Sequence, residues 1–516
     1  MFISLLPFSS FFGVATLLWL ATLVVSRLSR PRTLPLPPGP RALPIIGNLH
    51  QAPKRSPWKK YREWSRTYGP IFTLKNGSAL TIVFSSAKLI KEHLERKNTV
   101  YSHRPYIELF DRVNGGLNAS IMPYGPRWKA HRTWRTFILR PAMTAKYAPV
   151  HDTETRQLLH ELLAGNDVDF AACYRRCIAS IFLTLAYGER LITETPEIQW
   201  LEELNARIFE ASEFSYSGAD VLWEFLPPAI KSLFPFPSRR AAEADKMHEE
   251  LNALMCRKFR NALLQPAWNW CKEVHENPAS SSKSDKELAF LIGSLYEAAL
   301  TPYHALRVIT LAAMVFPTEA ARAYAELDEV VGADRLPTLE DIPQLPLTMA
   351  FVREALRWRG LSPLGASRAA FTDDECTGYR IPRDAIILIN QWAVEHDESI
   401  FPEPFEFRPE RWLVDSGLPD LLFGFGQRAC PGRHMGQDAV SLAAARVLWA
   451  FDIVAPEPLD LEMLMESAND ISFISLPADF QAAFRIRSPR HRRVVEDQWT
   501  DAEKDGQVLM AQTNIK

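Results

Sequence analysis

The chain has 516 residues, 47% of them hydrophobic and 23% charged, with a formal net charge of −2. These values are ordinary for a folded protein, and with no basic or acidic tail nothing points to a nucleic acid as partner. The cysteines at 173, 177, 256, 271, 376 and 430 are neither paired nor densely spaced. That excludes a disulfide framework and fits a reducing compartment.

Met1 to Ser26 carries no charged side chain, and Phe11–Val25 is almost purely apolar, enough for a bilayer crossing at about 20 residues per span. Arg27, Arg30 and Arg32 follow at once, which places the next domain on the cytosolic side. No basic stretch precedes the apolar one and no small-residue cleavage site follows it, so it reads as a signal anchor. Leu34-Pro-Leu-Pro-Pro-Gly-Pro40 and Pro44-Ile-Ile-Gly47 then predict a stiff, extended tether. The expected division is an anchor at 1–26, a basic and proline-rich hinge at 27–48, a catalytic body at 49–490 and a polar tail at 491–516.

Trp58–Tyr68 reads as a helix, and Ile71–Asn76 with Ala79–Phe84 as a hairpin turning at Asn76-Gly77. Tyr101–Pro126 is rich in turn formers and reads as a loop. Pro126-Arg-Trp128-Lys-Ala-His-Arg132 opens a helix with Trp128 and Arg132 on one face. From Asp152 to Ser281 the apolar spacing is mostly helical, as in Met247, Leu251, Leu254, Met255 and Phe259. It breaks at Leu226-Pro-Pro228 and at Leu233–Pro237, where Leu233, Phe234 and Phe236 mark a candidate membrane contact.

Lys286–Phe316 is apolar on nearly every face and predicts one buried helix of roughly 45 Å. Glu297, His304 and Arg307 argue against a membrane span there. Pro317 ends it, and a further helix runs from Thr318 to Val331, closed by Gly332. Phe351-Val-Arg-Glu354-Ala-Leu-Arg357 is an E-x-x-R pair. Gly378–Pro382 and Ala385–Asn390 read as a β-hairpin, and the chain beyond Arg493 as a disordered tail.

Phe423-Gly-Phe-Gly-Gln-Arg-Ala-Cys430-Pro-Gly-Arg-His-Met-Gly436 sets a cysteine among glycines, just before the apolar helical run Ala439–Ala450. The glycines allow a tight loop that brings backbone close to a flat ligand. Arg428, the loop's N–H groups and the positive end of the following helix favour a thiolate. Such a sulfur is a metal ligand or a nucleophile. Phe423, Gly426, Arg428, Cys430 and Gly432 fit F-x-x-G-x-R-x-C-x-G in full. With the ordered companions W-x-x-x-R, long helix, E-x-x-R and Pro409-Glu-Arg411-Trp412, the chain resembles the cytochrome P450 family from roughly residue 30 to 490. Its texture is closest to the membrane-bound fungal enzymes of secondary metabolism.

The resemblance implies a mainly α (α+β) fold, with a long central helix over a haem, small β-sheets and an N-terminal transmembrane anchor. It implies haem b with Cys430 as the axial thiolate, held in the loop of Phe423, Gly426, Arg428 and Gly432. Trp128, Arg132 and Arg368 become candidates for the haem propionates, and Glu354, Arg357 and Arg411 a structural triad. A thiolate ligand favours O–O cleavage. The implied activity is monooxygenation of a lipophilic secondary metabolite such as a terpenoid, polyketide or alkaloid, with O2 and NADPH-derived electrons. NADPH–cytochrome P450 reductase and the lipid bilayer are the implied partners, at the endoplasmic reticulum, with one span and a cytosolic catalytic domain. Arg433, His434 and Lys129 are candidates for the reductase-docking face. By family position the substrate pocket is built from Tyr101–Met122, the long helix around Ala298, Leu361–Ala366 and Ser472–Leu476.

One stretch departs from the family. Ala298-Ala-Leu-Thr-Pro-Tyr303 replaces the usual A-G-x-D/E-T-T, with Thr301 where the acid is usual and Pro302 where the threonine is usual. Proline should kink the helix and free the Ala298 carbonyl. Thr301 would then supply the missing alcohol, with Glu297 or His304 as proton source, although His304 reads first as a satisfied core histidine. The departure keeps open a reductase-independent isomerase or dehydratase acting on a peroxide. A non-catalytic haem sensor is the third reading.

Overall fold

The computed structural model describes residues 34–53, 55–77, 79–165, 168–201, 203–204, 207, 236–299, 301–415, 417–465, 475 and 477–513, without the side chains of 236–240 and 297. The expected anchor, the arginines after it and the break at Leu226–Pro228 lie outside these residues. Of the apolar stretch Leu233–Pro237 only the backbone of Phe236 and Pro237 is described, in the first turn of a helix. Among the described residues no helix is long and apolar enough to cross a membrane.

Helix α1 (Pro57–Tyr68) opens on a proline, whose missing N–H costs nothing in a first turn. Its Tyr61 and Trp64 rings meet Phe72 edge-on, each 6.1 Å away. Strands β1 (Ile71–Asn76) and β2 (Ala79–Phe84) pair antiparallel from Ile71↔Phe84 to Asn76↔Ala79, the predicted register. The second half of the expected stiff, extended hinge is docked on β1. Thr73 N–H donates to Pro38 O (2.8 Å) and Asn48 N–H to Lys75 O (2.6 Å), while the Asn48 side chain accepts from Lys75 N–H (2.8 Å). β1 is an edge strand with free donors and acceptors, and prolines still carry carbonyls.

The expected second hairpin does not form. β3 (Arg368–Ala369) is followed by β4 (Asp374–Cys376) and β5 (Tyr379–Ile381), which pair with each other around Thr377-Gly378. β6 (Ile386–Ile389) instead joins β2 in parallel, with β3 antiparallel on its far side, giving the sheet order β1-β2-β6-β3. The physical reason is burial. Ile387 and Ile389 need more cover than a two-stranded hairpin gives, and they find it beside Ile82 and Phe84.

The Tyr101–Pro126 stretch holds a short helix, α2 (Glu108–Asn114), because Phe110 and Val113 share a buried face. Helices α3 (Pro126–Ile138), α4 (Ala148–Leu162), α5 (Phe170–Tyr187) and α6 (Phe236–Leu264) follow. Their apolar faces, with Ile138, Leu158, Phe182, Leu251 and Phe259, enter the largest core cluster. The predicted helix Lys286–Phe316 is interrupted at Ser294 and is described as α7 (Asp285–Gly293), α8 (Leu295–Ala299) and α9 (Thr301–Val315). Ser294 competes with the helix by bonding its hydroxyl to Phe290 O at 2.6 Å. Leu300 lies outside the described residues, so the expected kink before Pro302 falls at their edge, and α9 is helical from Thr301 on. α10 (Pro317–Val330) ends as expected before Gly332, whose φ is +72°.

α11 (Pro346–Trp358) carries the triad into the core. The fully buried Glu354 carboxylate accepts from Arg357 Nε and Nη2 (2.9 and 2.8 Å), Arg411 Nε (3.1 Å), Arg408 N–H (2.9 Å) and Trp412 Nε1 (3.0 Å). α12 (Gln391–Glu395) ends beside it, and Glu395 O accepts from Arg357. After the cysteine loop come α13 (Arg433–Ala450), β7 (Phe451–Val454) and its antiparallel partner β8 (Ala483–Ile486).

The tail is ordered, correcting the expectation for the chain beyond Arg493. It forms α14 (Pro489–Thr500) and α15 (Gly506–Gln512), capped by Ser488 and Asp505. Gln507 accepts from Ala267 N–H (3.0 Å) and donates to Gly188 O (2.8 Å), while Leu509 and Met510 are buried. Its contacts are largely polar, which hides them in a hydropathy pattern.

The Glu395 carboxyl is buried, Oε2 has no hydrogen-bond partner, and burial pushes its pKa up from 4.5 to about 8 despite Arg357 nearby. The folded state therefore keeps this proton while the unfolded chain loses it. Stability falls as pH rises between those two values. Glu395→Gln should flatten the fall of the thermal midpoint across that window. Equal pH slopes in variant and wild type would show the carboxyl to be ionised in the fold.

Candidate active site

The loop before α13 is fixed by its backbone. Cys430 N–H donates to Phe423 O (2.7 Å) and Ala429 N–H to Gly426 O (3.1 Å). Gly426 has φ +57°, and a Cβ there would lie 2.4 Å from Leu94 O, so only glycine fits. α13 begins at Arg433, three residues past the cysteine. Cys430 is exposed, yet it sits among enough protein for burial to push its thiol pKa up. The Gly432 N–H, Arg132 and Arg433 pull the other way, toward thiolate.

Arg428 does not act on the sulfur as expected. Its guanidinium donates to Ser102 O (2.8 Å), Ala119 O (3.0 Å) and Met122 O (2.6 Å), and lies 4.2 Å from the Trp128 ring centre. Trp128 and Arg132 share a face of α3, and Arg132 Nη1 donates to Ala429 O at 2.6 Å. Arg368 on β3 donates to Phe425 O at 2.7 Å. The predicted cofactor-binding residues Phe423, Gly426, Arg428, Cys430, Gly432, Trp128, Arg132 and Arg368 are thus brought together. Sequence reasoning missed Arg104, which donates to Ser120 O (2.8 Å) and Ala366 O (3.0 Å). One arginine in a turn-rich stretch gave no signal.

Among the described residues, none of Arg132, Arg368 and Arg428 forms an ion pair with a carboxylate. Burial and the neighbouring Arg104, Arg368, Arg132 and Arg135 push Arg428 down to about 8, and burial with Arg104 pushes Arg368 down to about 9. Buried cations without an anion are costly, so this cluster is built for a ligand that brings its own negative charge. A cysteine on a tight glycine loop, with Arg132, Arg368 and Arg428 held around that loop without carboxylate partners, fits an iron porphyrin with carboxylate arms.

Residues 37–482 match the family model described as Cytochrome P450. The chain is a cytochrome P450. It is 49% identical to fumitremorgin C synthase of Neosartorya fischeri over 483 residues, 90% of this chain and 91% of the relative. It is 43% identical to cytochrome P450 monooxygenase criE of Aspergillus cristatus over 498 residues, 96% and 92% of the two chains. Cytochrome P450 monooxygenase okaD of Penicillium ochrochloron is 43% identical over 485 residues, 93% and 91%. This cytochrome P450 is a haem-thiolate monooxygenase, mainly helical with small sheets.

In this P450 the haem, once bound, supplies the activation of dioxygen. Cys430 would hold the iron and the arginines its carboxylates. Thr301 is half-buried at the start of α9, and Glu297 lies on α8 with its side chain outside the described set. Pro302 has no N–H to offer the Ala298 carbonyl. Burial, Arg307 and Arg175 push His304 down to about 3, which favours the neutral ring, and its buried Nδ1 has no hydrogen-bond partner among the described residues. Of the candidate docking residues, Lys129 and His434 are exposed. Arg433 lies 5.3 Å from the Phe423 ring and acts on Cys430, so it belongs to the sulfur's surroundings.

Cys430→Ser should abolish the red-shifted Soret band of the ferrous carbon-monoxide complex, and an unchanged band would dismiss the cysteine as ligand. Arg132→Met removes one charge-assisted bond and should loosen haem retention by roughly tenfold or more, read as haem transfer to apomyoglobin. Transfer at the wild-type rate would show that Arg132 serves the loop alone.

Proposed function

We propose that this monooxygenase hydroxylates, desaturates or oxidatively rearranges a lipophilic secondary metabolite, a terpenoid, polyketide or alkaloid. Electrons come from NADPH through a membrane-bound reductase. The observation that carries the reading is the likeness, over nine-tenths of the chain, to a relative named as synthase of fumitremorgin C. The candidate pocket segment Tyr101–Met122 supports it, since Ile107, Leu109, Phe110 and Val113 are apolar and join the core cluster.

Three roles follow from the residues. The arginine cluster orients the cofactor by its carboxylates. The apolar wall excludes water and selects a lipophilic substrate. The Thr301 hydroxyl, beside a carbonyl freed by Pro302, holds and passes a proton, with Glu297 as its source. The apolar stretch 1–26 followed by Arg27, Arg30 and Arg32 supports a single-pass anchor in the endoplasmic reticulum membrane with the catalytic body in the cytosol. Lys129 and His434 are the docking residues to reverse, since Arg433→Glu would also disturb the thiolate.

Thr301→Val tests the proton path. With NADPH, reductase and a substrate found by feeding pathway intermediates, the variant should keep haem and substrate binding, lose product and release hydrogen peroxide. Full coupling would refute the path. It would favour the second reading, rearrangement of a substrate peroxide, which the missing acid–alcohol pair at Thr301-Pro302 supports. Turnover with a hydroperoxide and no reductase would establish that reading.

A further inference from the structure

Helix α3 serves two elements at once. Trp128 and Arg132 face the cysteine loop, but His131 and Arg135 reach the segmented helix. His131 Nε2 lies 3.1 Å from Glu287 Oε1 in the first turn of α7, and Arg135 Nη2 donates to Ser294 Oγ at 2.5 Å, just past its end. Burial pushes His131 down to about 4, so the ring is neutral. The nitrogen facing a carboxylate must then carry the proton, and the bare Nδ1 is the one left without a partner. α3 therefore grips α7 at both ends.

The second grip falls where the long helix is interrupted at Ser294. Ser294 donates its hydroxyl proton to Phe290 O (2.6 Å) and accepts from Arg135, so both sides of the hydroxyl are used. Ser294 and Arg135 are both buried. The guanidinium is also close enough to depress Arg428 and His131. One cation thus stands between the cluster that awaits the cofactor's carboxylates and the start of α8, which carries Glu297.

We propose that Arg135 is a positioning residue. By holding Ser294 it ties the interruption of the long helix to the cofactor-anchoring helix, and so sets where α8 stands relative to the cysteine loop. The inference rests on the reading that α8 and Thr301 border the reaction chamber. Its test reads the position of α8 without turnover, so the two fail separately.

The variants are Ser294→Ala, which leaves the Arg135 charge in place, Ser294→Thr, which keeps the hydroxyl, and Arg135→Lys, which keeps the charge but shortens the reach. In the haem-loaded protein, amide exchange of peptides covering Leu295–Ala299 is compared with a control peptide in α13. Spectral titrations use imidazole, which needs only the metal, and 4-phenylimidazole, whose ring fills the space next to it. Ser294→Ala and Arg135→Lys should keep the carbon-monoxide band and the imidazole affinity. Both should raise exchange in α8 about tenfold and weaken 4-phenylimidazole about tenfold, the loss expected for one charge-assisted bond. Ser294→Thr should restore both. Wild-type exchange in Ser294→Ala would overturn the proposal. Faster exchange with unchanged 4-phenylimidazole binding would also overturn it, because the bond would then be structural only.

Discussion

Positive charge buried without a counter-ion is the constraint around which this molecule is arranged. Arg132, Arg368 and Arg428 come from a helix, a strand and the cysteine loop, and among the described residues their hydrogen bonds go to backbone carbonyls. Carbonyls orient a guanidinium but do not neutralise it. The fold thus carries an electrostatic deficit that an anionic cofactor removes. Since the unfolded chain gathers no such cluster, cofactor binding and folding are linked. Elements far apart in sequence must be in place before the deficit can be met.

The triad shows the opposite solution a short way off. Glu354 is fully buried but accepts from five donors, and Arg357 spends its remaining N–H groups on carbonyls of Glu395, Pro404 and Glu406. Removing one partner of such a site costs about 3–5 kcal/mol, so it is scaffold and tolerates no ligand. The matched cluster holds the backbone around the loop still, and the unmatched one waits for its ligand. The interrupted helix lies between these extremes, since the Ser294 hydroxyl bonds back to Phe290 O and α3 holds that interruption through Arg135.

The cysteine loop, the Trp128–Arg132 face and the Glu354–Arg357 pair were legible because each is a short run with a fixed chemical demand. The first hairpin was legible for the same reason, since Asn76-Gly77 specifies its turn. What failed depended on partners remote in sequence. Ile386–Ile389 alternates no differently from a hairpin strand, and only the presence of β2 decides its pairing. Ser294 looks like an ordinary helical residue until Arg135 reaches it. The tail's caps, Ser488-Pro489 and Asp505-Gly506, were readable, but its polar docking through Gln507 overrode them in the hydropathy pattern. Arg433 looked like surface because sequence gives charge without direction.

The hinge has a practical corollary for handling the protein. Composition changes at residue 48, which invites a cut there when the apolar start is removed. Yet Pro38 and Asn48 satisfy backbone groups of β1, and a Cβ on Gly39 would come within 2.1 Å of Thr73 O, so the two chains lie in close contact. A shortened chain beginning at residue 49 would expose a flat strand edge ready to pair with another copy, whereas one beginning at Leu34 would leave that edge covered. Removing these prolines, counted as spacer by their composition, would make the body prone to aggregate.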